Sequence, residues 1–336
     1  MTIASFLRGA LAACLASFLA FAPAAHAQGA KPLSQAELDQ LIAPVALYPD
    51  ALLAQVFMAS TYPLEVVSAA RWVQQNPKVT GKALEDAMQK QPWDPSVKSL
   101  APFPSVLAMM NDKLEWTQKL GDAFLGQRPD VMKTVQVLRK KAYDAGNLKT
   151  TTEQKVVVEK QVIVIEPATT VVYVPVYNPT VVYGAWWHPA YVPYYYYPPG
   201  YVARPGVGFA TGIVVGAALW GGCNWHGNDV TINVNHYNQF NRTNITRVNW
   251  QHDASHRKGV PYRDPTVAQR YERRQAADEV RKDVKQEQRQ RSREDAAPAS
   301  MDADRPGPRG READGPGPRG RDNDGPDRPG RPGDRR

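Results

Sequence analysis

The sequence predicts an α+β chain: an N-terminal all-α domain, a small antiparallel β addition, and then a largely low-complexity, disordered C-terminal half. Three observations carry this. Apolar residues recur at helical spacing between prolines through residue 150. Residues 154–183 switch to β-branched runs with period two. Beyond residue 174 the 29 prolines and 24 glycines become concentrated, and such tracts bury little.

Residues 1–27 read as a signal peptide. Arg8 gives a positive start, Gly9 to Ala22 is apolar, and Ala25-His26-Ala27 is an A-x-A cleavage site before Gln28. The run is too short and Ala-rich to span a bilayer. Leu11-Ala12-Ala13-Cys14 is an alternative, lipoprotein-type site. The sequence thus predicts an exported chain of the periplasm or envelope. Cys14 leaves with the leader, so Cys223 is the single remaining thiol and no internal disulfide forms.

The all-α domain is expected over 31–150. Ser34-x-x-Glu37 is a capping box. Pro49, Pro63, Pro95, Pro104 and Pro129 stand where first-turn prolines belong, because the missing N–H is unused there. Val66, Ala70 and Val73 share a helical face, as do Trp116, Leu120 and Phe124, and Val131, Val135, Leu138 and Ala142. The last helix starts with Asp130 and ends with Arg139-Lys140-Lys141 before Gly146, a polarity that suits the helix dipole.

Residues 151–184 form the β addition. Val156 to Val158 and Val162 to Ile165 are strand-like; Val172, Val174 and Val176 alternate with Tyr173 and Tyr177, and Pro175 makes that strand an edge. Residues 185–205 are a Tyr/Trp/Pro-rich linker. Residues 206–222 are apolar and uncharged, with Gly208, Gly212 and Gly216 four apart, a glycine zipper if helical. Residues 223–252 are Asn-rich, 253–294 a charged helix, and 295–336 a disordered Arg/Gly/Pro/Asp tail repeating Gly-Pro-Gly-Pro-Arg-Gly-Arg.

Several of these stretches carry a resemblance. LIAPVALYPDALLAQVFMASTYPLEVVSAARW (41–72), WDPSVKSLAPFPSVL (93–107), LGDAFLGQ (120–127), VMKTVQVLRKKAYDAGNLKT (131–150) and YVPVYNPTVVYG (173–184) are similar to the bacterial exported family called domain of unknown function 3300. The resemblance implies export and brings no catalytic residue with it.

No G-x-S-x-G, H-E-x-x-H or P-loop pattern is present, and no cofactor is expected. Cys223 with His226, and His252 with His256, have the spacing of metal ligands, against the plainer reading of solvated polar residues. Glu37, Asp50, Glu65, Asp94, Glu115 and Asp122 are candidates for a glycosidase-like carboxylate pair. Helix-start capping is the favoured reading of Asp50 and Asp94. The glycines Gly208, Gly212 and Gly216 form a candidate association face. A net charge of +8 points to anionic envelope partners, although acids interleave with the tail arginines and no nucleic acid is expected. The expectation is a non-enzymatic binding or scaffold protein that meets a membrane surface, an envelope polymer or itself. A glycan hydrolase and a metal-binding protein are the alternatives.

Overall fold

The computed structural model describes residues 31–203 and 206–295. The expected signal peptide, the alternative Cys14 site and the tail from residue 296 lie outside the described residues. The chain divides into two units, Met1–Lys282 and Asp283–Arg336. Of the second, only the C-terminal part of a helix is described. All other described residues belong to the first.

Eight helices come first: α1 (Gln35–Ile42), α2 (Asp50–Ser60), α3 (Pro63–Gln75), α4 (Gly81–Gln89), α5 (Pro95–Ser99), α6 (Pro104–Asp112), α7 (Leu114–Gly126) and α8 (Arg128–Asp144). Their starts follow the sequence. Ser34 and Glu37 form the capping box. Pro63, Pro95, Pro104 and Pro129 occupy the first two helical positions, while Pro49 is the residue before α2. Gly146, at φ +73°, closes α8 in the left-handed conformation.

Helix α2 is the centre. Every residue from Leu52 to Ser60 is buried, so it has no solvent face. Phe57 stacks on Phe124 of α7 with ring centroids 5.1 Å apart. Gly121 of α7 lets the two helices touch: a Cβ there would run into the Ser60 carbonyl and the Thr61 amide. No single helix among the described residues is long and apolar enough to cross a membrane. Helices α2 and α3 reach that composition only as a pair bent by 116°.

Strands β1 (Gln154–Glu159) and β2 (Val162–Pro167) form the expected antiparallel hairpin. Lys160 and Gln161 both take positive φ, as a two-residue turn requires. Ile163 and Ile165 bury on the helices, and Arg139 of α8 reaches across to meet them. The sequence places Arg139 near the end of this helix, where its charge suits the helix dipole. Yet Arg139 is 0% exposed. Its Nε donates to Ala46 O at 2.9 Å, Nη1 to Asp50 Oδ1 at 2.6 Å and Ile163 O at 2.7 Å, and Nη2 to Tyr48 O at 2.9 Å. Its guanidinium lies 4.9 Å from the centre of the Trp225 ring.

The region after residue 184 differs from expectation. The predicted low-complexity, disordered half is folded against the helices over residues 185–271, apart from residues 204 and 205, which are not described. The Tyr/Trp/Pro stretch is not a free linker: Trp187 Nε1 donates to buried Asp39 at 2.9 Å, and Trp116 packs edge-on against Tyr194. The glycine segment is not a helix. Gly208 lies in β5 (Gly208–Phe209), Gly212 precedes β6 (Ile213–Val214), and Gly216 opens a 3-10 turn (Gly216–Ala218). The expected helical association face is therefore absent. β3 (Val171–Val172) pairs with β6, and β4 (Pro175–Val176) pairs with β5. The close approach that glycine permits is internal, since a Cβ on Gly212 would strike Val171 and Tyr173.

A short helix, α9 (Pro179–Val182), lies between β4 and β5. The Asn-rich segment supplies β7 (Gly221–Asn224), β8 (Asp229–Ile232) and α10 (Val234–Asn241). The expected charged helix is α11 (Pro265–Asp295), preceded by a 3-10 turn at Ala254–Arg257. Aromatics explain the docking. Trp220 is buried, with Nε1 on Ser99 Oγ at 2.6 Å, and Phe240 and Trp250 are buried too. Each large ring buries area that no periodic pattern announces.

Two substitutions test this packing. Arg139→Ala should lower unfolding stability by about 3–5 kcal/mol, because it leaves the Asp50 carboxylate without its buried partner. Gly121→Ala should cost at least about 1–3 kcal/mol through overpacking at backbone that cannot yield easily. Chemical denaturation of the purified variants measures both. Wild-type stability in either would show that the α8–hairpin tie or the α2–α7 contact is not as described.

Candidate functional site

A cavity of about 870 Å³ opens in the first unit. That is within the roughly 300–1,000 Å³ typical of small-molecule sites. Segments far apart in sequence line it. Helix α3 gives Arg71 and Trp72, α4 gives Leu84, Glu85 and Met88, and α6 gives Ala108 and Asp112. The Tyr/Pro stretch contributes Tyr196, Pro198 and Pro199, the glycine segment Ala210 to Val215, and α10 Phe240. Most of these side chains are apolar. Phe240 is fixed there because Gln89 Nε2 donates to its carbonyl at 2.6 Å.

Three charged side chains border the apolar walls. Among the described residues, Arg71 and Glu85 make no ion pair. Asp112 accepts from Asn111 Nδ2 at 3.2 Å. By contrast Asp86, next to Glu85, is held by Lys82 and Arg242. Burial raises the Tyr196 phenol pKa, and the charge of Asp112 adds to the effect.

A second polar cluster holds residues 252–262 on the helices. Glu65 is fully buried. Its Oε2 accepts from Asp94 N at 2.6 Å, while Oε1 lies 2.9 Å from His256 Nδ1 and 3.3 Å from Lys258 Nζ. Hydrogen bonding to Glu65 raises the His256 pKa. Asp94 caps α5 through Ser96 N at 2.8 Å, as expected, and burial raises its carboxyl pKa. His252 stacks on Tyr62 at 5.0 Å and reaches Thr61 Oγ1 and Tyr262 Oη. Burial, helped by the Arg257 charge, pushes its pKa down to about 3. Arg257 is itself buried, with Nη2 donating to Asp122 Oδ1 at 2.6 Å. Burial raises the Asp122 pKa against the pull of that arginine.

The candidate residues of the sequence lie in separate places. Glu65 and Asp94 meet, together with His256, but neither lines the cavity. Glu37 serves the capping box and Glu115 is exposed. Asp50 does not cap α2. Its Oδ1 accepts from Arg139 and Ile165 N, and its Oδ2 from Trp225 Nε1 at 2.7 Å. Capping needs a side chain just before the first turn, and Pro49 stands there. Cys223 turns inward, with Sγ 3.5 Å from Asp50 O, and burial raises its thiol pKa. His226 is exposed in the following turn, so the two do not converge. His252 and His256 both flank Tyr62 yet bind different partners. Among the described residues no group of three or more His, Cys, Asp or Glu is arranged to hold a metal ion. The spacing i, i+4 brings ligands together only on an α-helix, and residues 254–257 form a 3-10 turn. Sequence reasoning missed Arg71, Glu85 and Phe240, because no local pattern marks residues that converge only through tertiary packing.

The two histidines give stability opposite pH slopes. His252 has a folded pKa of about 3 against about 6.5 unfolded. Between these values the unfolded chain binds the proton and the folded chain does not. Stability from this residue therefore rises with pH across that window. His256 has a raised pKa, so its contribution is complete below about 6.5 and is lost as pH rises. In His252→Gln the first slope, at most about 1.4 kcal/mol per pH unit, should vanish. The stability gap to wild type should shrink as denaturation is repeated from pH 7 to pH 4. A constant gap would show that His252 titrates normally.

The chain matches a known family over most of its described length. The model for Protein of unknown function (DUF3300) matches residues 34–258. Uncharacterized protein YacH of Escherichia coli (strain K12) is 38% identical over 310 residues. That alignment covers 71% of this chain and 50% of the relative, so the chain spans half of the curated relative's length. No solved structure matches. The matched span runs from the capping box to Lys258 and takes in the cavity and the Glu65 cluster; the chain belongs to the DUF3300 family.

Proposed function

We propose that this chain is a non-enzymatic binding protein of the bacterial envelope, and that its cavity holds one small apolar or amphipathic molecule. The cavity carries the reading: about 870 Å³ of mostly apolar wall, assembled from separate stretches of chain. The charge, apolar run and A-x-A site of residues 1–27 support export, and amphiphiles abound at envelope membranes. The hydrolase alternative draws less support. Glu65 and Asp94 do come together, but both Glu65 oxygens are occupied by protein donors and neither residue faces the cavity.

The test uses N-phenyl-1-naphthylamine, an uncharged dye that brightens in apolar surroundings. Titrated into the purified protein, it should bind one site per chain. Ala108→Trp fills the cavity with an indole and should weaken that binding by about tenfold or more. Circular dichroism melts establish that the variant is folded. No dye binding, or equal binding by a folded Ala108→Trp, would sink the reading.

A further inference from the structure

We infer that the ligand is a single-chain amphiphile with a zwitterionic headgroup. The inference rests on the reading of the cavity as a ligand site and adds what its charges select. Arg71, Glu85 and Asp112 border the same space, yet the guanidinium pairs with neither carboxylate. Opposite charges that line one cavity and stay beyond ion-pair distance leave a gap that a dipolar headgroup bridges. The neighbouring surface does not follow that pattern: Asp86, one residue from Glu85, has two cations on it. Among the described residues no side chain neutralises Arg71 or Glu85.

Each part of such a ligand has a partner. The anionic end, a phosphate or carboxylate, meets Arg71, whose planar fork suits two acceptor oxygens. The ammonium end meets Glu85 and Asp112, and the aromatic side chains of Trp72 and Tyr196, the residue types that serve cation–π contact, line the same cavity. The tail enters the apolar part, where Met88 and Phe240 are buried. A purely anionic amphiphile would be repelled by two carboxylates. A purely cationic one would be repelled by the guanidinium. Because these charges border solvent, the repulsion is felt most at low ionic strength. At about 870 Å³ the cavity has the size of a small-molecule site, which suits a headgroup carrying one tail.

Three competitors with the same tail isolate the headgroup: dodecylphosphocholine, dodecanoate and dodecylamine. Each displaces N-phenyl-1-naphthylamine from the purified protein below its micelle concentration and at low salt. Dodecylphosphocholine should bind about tenfold more tightly than either of the others. Arg71→Gln should erase its advantage over dodecylamine. Glu85→Gln combined with Asp112→Asn should erase its advantage over dodecanoate. All three positions border solvent, so these variants should melt as wild type does. Equal displacement by the three compounds would overturn the headgroup inference while leaving the cavity reading in place. Preference for dodecanoate or dodecylamine would overturn it as well. If none displaces the dye and Ala108→Trp binds it like wild type, the cavity reading itself fails.

Discussion

The fold depends on one buried charge. Arg139 is a cation with no solvent contact, in a core otherwise built mainly of aliphatic and aromatic side chains. Burying such a group is tolerable only if its donors and its charge are met. Both conditions hold here: three backbone carbonyls and the Asp50 carboxylate surround it. A lysine would keep the charge but lose the fork that reaches four acceptors at once. The consequence is organisational. The loop before α2, the first residue of α2, strand β2 and the turn carrying Trp225 all converge on one side chain of α8. Arg139 is thereby one point at which the helical half and the strand-bearing half are registered against each other.

Further polar ties repeat the device where periodic structure is scarce. Asp122 holds Arg257, Glu65 holds His256, and Asp39 holds Trp187 and His188. Each joins residues more than a third of the chain apart in sequence, and at least one partner in each is buried. In a large sheet the backbone ladder would do this. Here the sheets are two-stranded, and two of them have only two residues per strand. Side chains therefore supply the long-range directional bonds. Leaving any one of them half-made would strand a buried polar group, which is why these contacts specify position more sharply than apolar packing alone.

The sequence exposed the helical half well and the remainder poorly. Ser34, Glu37, the first-turn prolines and Gly146 act within one helical turn, so their effect can be read locally. The apolar stripes through Leu120 and Val135 also point where they should, into the core. The β1–β2 hairpin was legible for the same reason. The Gly208, Gly212 and Gly216 spacing misled because a four-residue repeat implies a shared face only on a helix, and this backbone is extended. Residues 185–252 misled because Pro and Tyr lack a period and Asn reads as solvated. Their burial comes from individual rings seated on helices already formed. Asp50 misled because its position fits a cap, while its carboxylate answers a residue 89 positions away. The cavity left no trace at all, since Arg71, Tyr196 and Phe240 are neighbours only after folding.

The two halves divide the labour of keeping a cavity open. An apolar void of this size is costly, and a pliable wall would collapse into it. Helices α3, α4 and α6 form a side that is stiff by its own backbone bonding. The other side, Tyr196 to Pro199 and Ala210 to Val215 with Phe240 of α10, is more irregular and is held by its neighbours. Trp116 packs on Tyr194, β5 and β6 pair with β4 and β3, Trp220 bonds Ser99, and Gln89 fixes Phe240. Gly212 lets this wall lie flat on Tyr173, so the wall rests on a second layer rather than on the void. A wall made of short, separately anchored pieces has a further property. Its anchors are separate from the Arg139 centre, because none of them is a partner of Arg139 or Asp50. The Arg139 centre and the cavity then lie in different parts of one chain, and the irregular half, which looked dispensable in the sequence, supplies one wall of that cavity.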